Sequence, residues 1–185
     1  MSELAHSGRK GQKWGIRRGP PYPLDIPEGS SDGISVLTKQ LSKIRYKEFD
    51  RLMSAEQVEE TKTGSCHDQV MLEFKKLKEL GYSPKGLFVM EYSNNQGGMT
   101  HSLAHYEKDG KTHWLENAWS ERAGDSVYDN VAAIKKEIRK AHVSGEFGSK
   151  GEYPNLIFGV FDPSEHEVGE DLQTFVDLCL NHRKD

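Results

Sequence analysis

The strongest constraint on the fold of this chain is a β-hairpin in the middle of the sequence. Residues Thr100–Glu107 and Thr112–Trp119 are predicted strands, and the Asp109-Gly110 pair between them favours a two-residue turn. Side chains alternate between the two faces of a strand, so this turn places His101 and Glu116 on one face as diagonal neighbours. The hairpin therefore predicts an antiparallel sheet that brings a histidine and a carboxylate together.

A cysteine stands at the predicted first turn of a helix. Ser65 and Asp68 have the spacing of a capping box, and the apolar residues that follow lie on the face that carries Cys66. The helix dipole and the free backbone N–H groups at that position favour the thiolate, the form that attacks carbonyl carbon. A cysteine, a histidine and an acid in this chain order, on helix, strand and strand, are typical of a thiol acyl-transfer enzyme.

Three segments resemble the transglutaminase-like cysteine peptidase superfamily, and most closely its small bacterial and phage-borne members. They are Thr63-Gly64-Ser65-Cys66-His67-Asp68-Gln69-Val70, Thr100-His101-Ser102-Leu103 and Trp114-Leu115-Glu116-Asn117-Ala118-Trp119, within a similarity that spans about residues 54–162. The resemblance implies an α+β, papain-like fold in which the nucleophile's helix packs on an antiparallel sheet. It also implies that Cys66 is the nucleophile, His101 the base and Glu116 the orienting residue, although Asp is the usual third residue in this superfamily.

Asn117 is the alternative orienting residue. A one-residue bulge at the turn would flip the second strand and bring Asn117, rather than Glu116, to the face of His101. Both assignments stay open at the level of the sequence.

The expected reaction is thiolate attack on a peptide or glutamine carbonyl, which gives an acyl-enzyme. The backbone N–H of Cys66 can donate to the oxyanion, and Gln57 or Gln69 could supply a second donor. Water as the acceptor gives hydrolysis and an amine gives transamidation. The sequence does not choose between these acceptors.

A zinc site is the first rival interpretation. Cys66 and four histidines are possible ligands, but no Cys-x-x-Cys or His-Glu-x-x-His spacing is present; the histidines are His67, His101, His105 and His113. On one strand His101 and His105 would lie about 13 Å apart. We therefore expect neither a metal ion nor another cofactor.

The second rival is a catalytically inert, peptidase-like module that docks through its N-terminus. Residues 1–33 are predicted to be a disordered basic arm ahead of a domain at residues 34–185. The first twenty residues carry five cations and one anion (net +4) in a chain of net charge −4, which leaves −8 for the remainder. The run from His6 to Arg18 resembles a short tag on phage-encoded proteins. That resemblance implies a phage or prophage gene and docking to a phage structural protein, with nucleic acid bound at most through residues 9–18.

No apolar run approaches the ~20 residues that span a membrane, and the N-terminus lacks the apolar stretch of a signal peptide. We therefore expect the protein in the host cytoplasm or with the virion, acting on a protein or peptide. Cys66 and Cys179 are the two cysteines, and a reducing cytosol disfavours a disulfide between them. Cys179 lies on the apolar stripe of a helix and is expected to pack in the core.

The remaining elements follow from periodicity and turn signals. The predicted helices cover residues 34–53, a short segment from Ser54 to about Glu60, the Cys66 helix to Leu80-Gly81, a segment capped by Asp129 and ending near His142, and the segment around Cys179; the further strands are Gly86–Tyr92 and Asn155–Asp162. Residues 93–99 are a predicted loop and a candidate lid.

Overall fold

The structure is a computed structural model that describes residues 33–92, 99–146 and 155–181. Within these residues the chain forms, in order, α1 (Gly33–Leu41), β1 (Arg45–Tyr46), α2 (Ala55–Thr61), β2 (Thr63–Gly64), α3 (Cys66–Glu79), β3 (Lys85–Tyr92), β4 (Thr100–Lys108), β5 (Lys111–Glu116), β6 (Gly124–Tyr128), α4 (Val131–Ser144), β7 (Asn155–Phe161) and α5 (Leu172–Asn181). Five strands form one antiparallel sheet in the order β6-β5-β4-β3-β7, and β1 pairs with β2 in a short parallel ladder. The mixed α+β class predicted from the sequence is confirmed.

The central hairpin, β4–β5, has the predicted register. Asp109 and Gly110 both have positive φ, at 52° and 74°, as a two-residue turn of the mirror-image type requires. Lys108 pairs with Lys111, and the later pairs keep the same register without a bulge. The second strand ends at Glu116, earlier than predicted.

Apolar side chains form two cores on opposite faces of the sheet. Alternate residues of β3 point to each side: Phe88 and Met90 join the core under α1, α3 and α5, whereas Leu87 and Val89 join the core under α4. The helix that begins at Cys66 therefore lies on one face of the sheet, as the sequence predicts.

The first helix is shorter than predicted. It ends at Leu41 instead of continuing to residue 53, and the chain turns into β1, which lies parallel to β2. The apolar stripe breaks between Ile44 and Phe49, a spacing of five residues that does not stay on one helical face. The intervening segment gains its hydrogen bonds from the ladder with β2 instead.

The start of α4 and the edge of the sheet also differ from the prediction. Asn130, rather than Asp129, caps α4 by accepting a hydrogen bond from the backbone N–H of Ala133. The carboxylate of Asp129 instead pairs with Lys111. The sequence analysis missed β6, whose half-exposed residues show no alternation of apolar and polar side chains.

The terminal helix α5 packs closely on β7. A Cβ at Gly159 would lie 2.2 Å from the carbonyl oxygen of Cys179, so only glycine allows this approach. The Cys179 side chain is fully buried, which confirms its predicted role in packing, and burial raises the pKa of its thiol. Both cysteines are free thiols. The predicted arm (residues 1–33) and the candidate lid (residues 93–99) fall almost entirely outside the described residues.

Candidate active site

Cys66 is the first residue of α3, where its position is fixed by a reciprocal cap. The Ser65 hydroxyl accepts from the backbone N–H of Asp68, and the Asp68 carboxylate accepts from the backbone N–H of Ser65 at 2.8 Å. The predicted capping box is therefore confirmed. The backbone N–H of Cys66 lies in the first turn, where an α-helix offers it no intrahelical acceptor. The side chain is buried, with 3% of its surface exposed.

Glu116 lies directly against His101. Nε2 of His101 is 2.7 Å from Oε2 of Glu116, and both side chains are buried. The carboxylate is itself held in place, because Trp114 Nε1 donates to Oε2 at 3.1 Å and the backbone N–H of Trp119 donates to Oε1 at 2.9 Å. These bonds fix the orientation of the carboxylate and, through it, the orientation of the imidazole.

His101 also lies next to Cys66, so the three side chains form a connected series. Burial alone lowers the pKa of His101, but the charge of Glu116, the hydrogen bond to Glu116 and the neighbouring Cys66 together raise it to about 10. The Trp119 ring packs nearly perpendicular to the imidazole, with the ring centres 5.8 Å apart. At neutral pH this histidine therefore carries a positive charge in a dry environment.

Asn117, the alternative orienting residue, lies on the other face. Because the hairpin has no bulge, its side chain points away from the face of Glu116 and donates to Oε1 of Gln69 at 2.5 Å. Nε2 of Gln69 in turn donates to the carbonyl oxygen of Gly64 at 2.8 Å. Asn117 and Gln69 thus tie the end of β5 to the segment that precedes Cys66.

His67, the neighbour of Cys66, connects the start of α3 to β4 through two side-chain hydrogen bonds. Its Nδ1 lies 2.8 Å from the Ser102 hydroxyl and its Nε2 lies 3.2 Å from the Thr100 hydroxyl. Thr100 and Ser102 flank His101 in the strand, and the Cys66 sulfur lies 4.0 Å from the carbonyl oxygen of Thr100. The sequence suggests His67 only as a possible metal ligand, whereas in the structure it joins the start of α3 to β4.

Tyr46 is a residue of the site that the sequence analysis missed. Its hydroxyl lies close to the Cys66 thiol, and burial together with the nearby charges of Cys66, Glu48 and Asp68 raises its pKa far above the usual range. Tyr46 lies in β1, a strand of two residues that has no periodic signal and falls inside the helix predicted over residues 34–53. No local pattern in the sequence could have revealed it.

Glu73 is the second residue of the site that the sequence prediction lacks, although its position on the apolar stripe of the helix could have identified it. It lies seven residues after Cys66, within the apolar stripe of α3, and it is buried. Burial raises the pKa of its carboxyl well above the usual value, and the charges of Glu116 and Cys66 raise it further while His101 opposes them. A glutamate on a buried helical stripe, two turns from a reactive cysteine, indicates a neutral carboxyl beside the site.

The other two histidines on the hairpin lie apart from this site. Burial and the charge of Lys85 lower the pKa of His105 to about 4. Nδ1 of His113 lies 2.8 Å from Asp125. Across the described residues, no group of three or more histidine, cysteine, aspartate or glutamate side chains has an arrangement that could hold a metal ion.

No protein-family model matches this chain, and no curated protein matches it either. Over the part of the chain that the structure describes, no helix has both the length and the apolar character needed to cross a membrane.

Proposed function

We propose that this protein is a cysteine-dependent acyl-transfer enzyme that acts on amide carbonyls of proteins or peptides. Cys66 is the nucleophile, His101 the general acid and base, and Glu116 the residue that orients His101. One observation carries the proposal: the thiol at the start of α3 lies beside a buried imidazole, and Nε2 of that imidazole is 2.7 Å from a carboxylate.

The chemistry follows from these positions. His101 uses Nε2 for Glu116, so its other nitrogen, Nδ1, exchanges a proton with the Cys66 thiol. The thiolate attacks the carbonyl carbon, a C–S bond forms, and the π electrons of the C=O bond move to oxygen. When the intermediate collapses, the C–N bond breaks and the leaving nitrogen takes the proton from His101. Glu116 stabilises the imidazolium throughout and does not take the proton.

The acyl-enzyme is then resolved by an acceptor. Water gives hydrolysis and an amine gives transamidation, with His101 as the base in either case. The helix start supports the first half of the reaction, because the backbone N–H of Cys66 can donate to the carbonyl oxygen as it becomes negative. The placement of a nucleophile at a helix start against an antiparallel sheet supports our assignment to the papain-like group of folds.

The burial of Cys66 favours a second candidate, the inert interaction module. With 3% of its surface exposed, the thiol meets a carbonyl only after the side chains that cover it move. In that reading the basic arm, which the sequence analysis assigned to docking on a phage structural protein, is the functional segment. The two candidates differ in the reactivity of Cys66.

The rate of Cys66 alkylation by iodoacetamide across pH 4–10 separates the two candidates. In a Cys179→Ser background, we expect a rate plateau that extends well below pH 8, because His101 holds a thiolate–imidazolium pair. His101→Ala should abolish the plateau, whereas His105→Ala, a change of the same residue type on the same strand, should retain it. A single titration near pH 8.5 that is unchanged in His101→Ala would contradict the catalytic proposal and support the inert module.

A further inference from the structure

We propose that Tyr46 is a catalytic residue, and that its hydroxyl is the second donor of the oxyanion hole. In the resting site it lies next to the Cys66 sulfur, and during attack it donates to the carbonyl oxygen. This inference rests on the proposed function, and it supplies the donor that complements the backbone N–H of Cys66.

The backbone fixes Tyr46 relative to the nucleophile. Tyr46 pairs with Gly64, two residues before Cys66, in the parallel β1–β2 ladder. On either side of it, the N–H of Arg45 donates to the carbonyl of Lys62 at 2.8 Å and the N–H of Lys47 donates to the carbonyl of Gly64 at 3.1 Å. The tyrosine is therefore held by the same segment that leads into α3, so helix start and hydroxyl move together.

The chemical state of the hydroxyl suits a donor and excludes a base. Burial, followed by the negative charges of Cys66, Glu48 and Asp68, raises the pKa of Tyr46 far above its usual range. The hydroxyl therefore keeps its proton wherever the enzyme works. A group that never ionises can donate a hydrogen bond to a negative atom, but it cannot accept the thiol proton that His101 takes.

During attack the negative charge moves from Sγ of Cys66 to an oxygen that the Tyr46 hydroxyl can reach. Before attack the charge is on Sγ of Cys66; after attack Sγ is a neutral thioether sulfur and the charge is on an oxygen two bonds away from it. A hydroxyl that contacts Sγ therefore needs only a small rotation to reach that oxygen. The proton stays on Tyr46 throughout. No O–H bond breaks, and the hydroxyl only turns from Sγ to donate to the carbonyl oxygen.

The two side chains that the sequence suggested for this role are engaged elsewhere. The Gln69 amide bridges Gly64 and Asn117, and Oε1 of Gln57 accepts from the backbone of Ser54 in the cap of α2. Tyr46 lies beside the nucleophilic thiol instead, on the strand that pairs with the segment leading to Cys66.

Two reagents that modify Cys66 separate stabilisation of the oxyanion from the general reactivity of the thiol. Both are applied to the full-length chain with Cys179→Ser. Iodoacetamide reacts by displacement at a saturated carbon and forms no oxyanion, whereas p-nitrophenyl acetate acylates the thiol through a tetrahedral oxyanion. The measured quantity is the ratio of limiting acylation rate to limiting alkylation rate. Tyr46→Phe should lower this ratio by about 10²-fold, the usual loss for one oxyanion donor. Tyr82→Phe, a matched change at a half-buried tyrosine whose ring packs at a tilt against Tyr106, should leave it unchanged.

The other possible results separate a failure of the Tyr46 assignment from a failure of the proposed function. An unchanged ratio in Tyr46→Phe would overturn the role of Tyr46 and leave the proposed function intact. A parallel rise of both rates would also overturn it, because it would make the tyrosine a cover over the thiol. Wild-type protein that reacts slowly with both probes would instead contradict the proposed function itself.

A second variant keeps the test decisive if Tyr46→Phe does not fold. Replacement of Tyr46 by a ring-fluorinated tyrosine retains the shape of the side chain and makes the hydroxyl a stronger donor. We expect the ratio to rise above that of the wild type, and an unchanged ratio would overturn the assignment.

Discussion

The charge on His101 depends on the residues to either side of it. Glu116 lies 2.7 Å from one ring nitrogen, and Cys66 lies beside the imidazole and raises its pKa as well. Behind this series, Glu73 is a buried carboxyl whose pKa is raised by burial and then by the charge of Glu116. A second ionised carboxylate at that position would compete with Glu116 for the positive charge of His101, so a neutral Glu73 preserves the pairing.

The state of Glu73 can be tested by Glu73→Gln, which mimics a neutral carboxyl. The pKa of Glu73 in the folded protein lies above the ordinary 4.5. As pH rises above 4.5, this carboxyl ionises in the unfolded chain but stays protonated in the folded protein, so the wild-type protein becomes less stable. We expect the variant to gain Tm relative to wild type as pH rises above 4.5. The gain should be several degrees, since 1 kcal/mol shifts Tm by about 2–4 °C in a domain of this size.

Glu60→Gln, at an exposed position of α2, is the control for this comparison and should show no such trend. A Glu73→Gln variant that loses stability relative to wild type as pH rises would mean that Glu73 is ionised in the folded protein.

At the scale of the elements, the N-terminus of α3 is held by more hydrogen bonds than a capping box alone provides. The carboxylate of Asp68 accepts from the backbone N–H of Met53 at 2.8 Å, the backbone N–H of Ser65 at 2.8 Å and the Ser65 hydroxyl at 2.7 Å. One side chain therefore joins the chain before α2 to the start of the helix that carries Cys66. The usual value of an N-terminal cap is about 1 kcal/mol.

Asp68→Ala should cost more than the loss of a cap. It leaves the part-buried N–H of Met53 and the buried N–H of Ser65 without their acceptor, and a fully buried group of this kind costs about 1–3 kcal/mol. We expect a fall of more than 2 kcal/mol in the free energy of unfolding, measured with urea. Asp171→Ala is the matched control, because Asp171 bonds to Thr174 at an exposed helix start. Equal losses in the two variants would show that Asp68 acts only as a local cap.

The elements also show where local patterns suffice. The Asp109-Gly110 turn fixed the hairpin register, and the spacing of Ser65 and Asp68 located the start of α3, because both signals act over a few residues. The helix predicted over residues 34–53 was wrong beyond Leu41, since a long-range ladder with β2 overrides a weak apolar stripe. Tyr46 was missed for the same reason.

Across the whole molecule, the candidate site is assembled from four elements that are distant in sequence. β1 brings Tyr46, α3 brings Cys66, β4 brings His101 and β5 ends at Glu116. The hairpin and the cap are local, but the contact of α3 with β4 depends on His67 and its two hydroxyl partners, which no pattern marked in advance. The hairpin geometry therefore predicted the histidine–carboxylate pair, whereas its meeting with the thiol was expected from the chain order of the three residues and from the family resemblance.

The central claim is that Cys66, His101 and Glu116 form one electrostatic unit, and the protonation of His101 tests it most directly. In a pH titration of the folded full-length protein followed by nitrogen NMR of its histidine rings, we expect His101 to remain protonated to about pH 10. His105, with a pKa of about 4, is neutral over the same range and serves as an internal reference. Glu116→Gln should lower the midpoint for His101, because it removes the charge that raises it. A wild-type His101 that loses its proton near pH 6.5, unchanged in Glu116→Gln, would contradict the account.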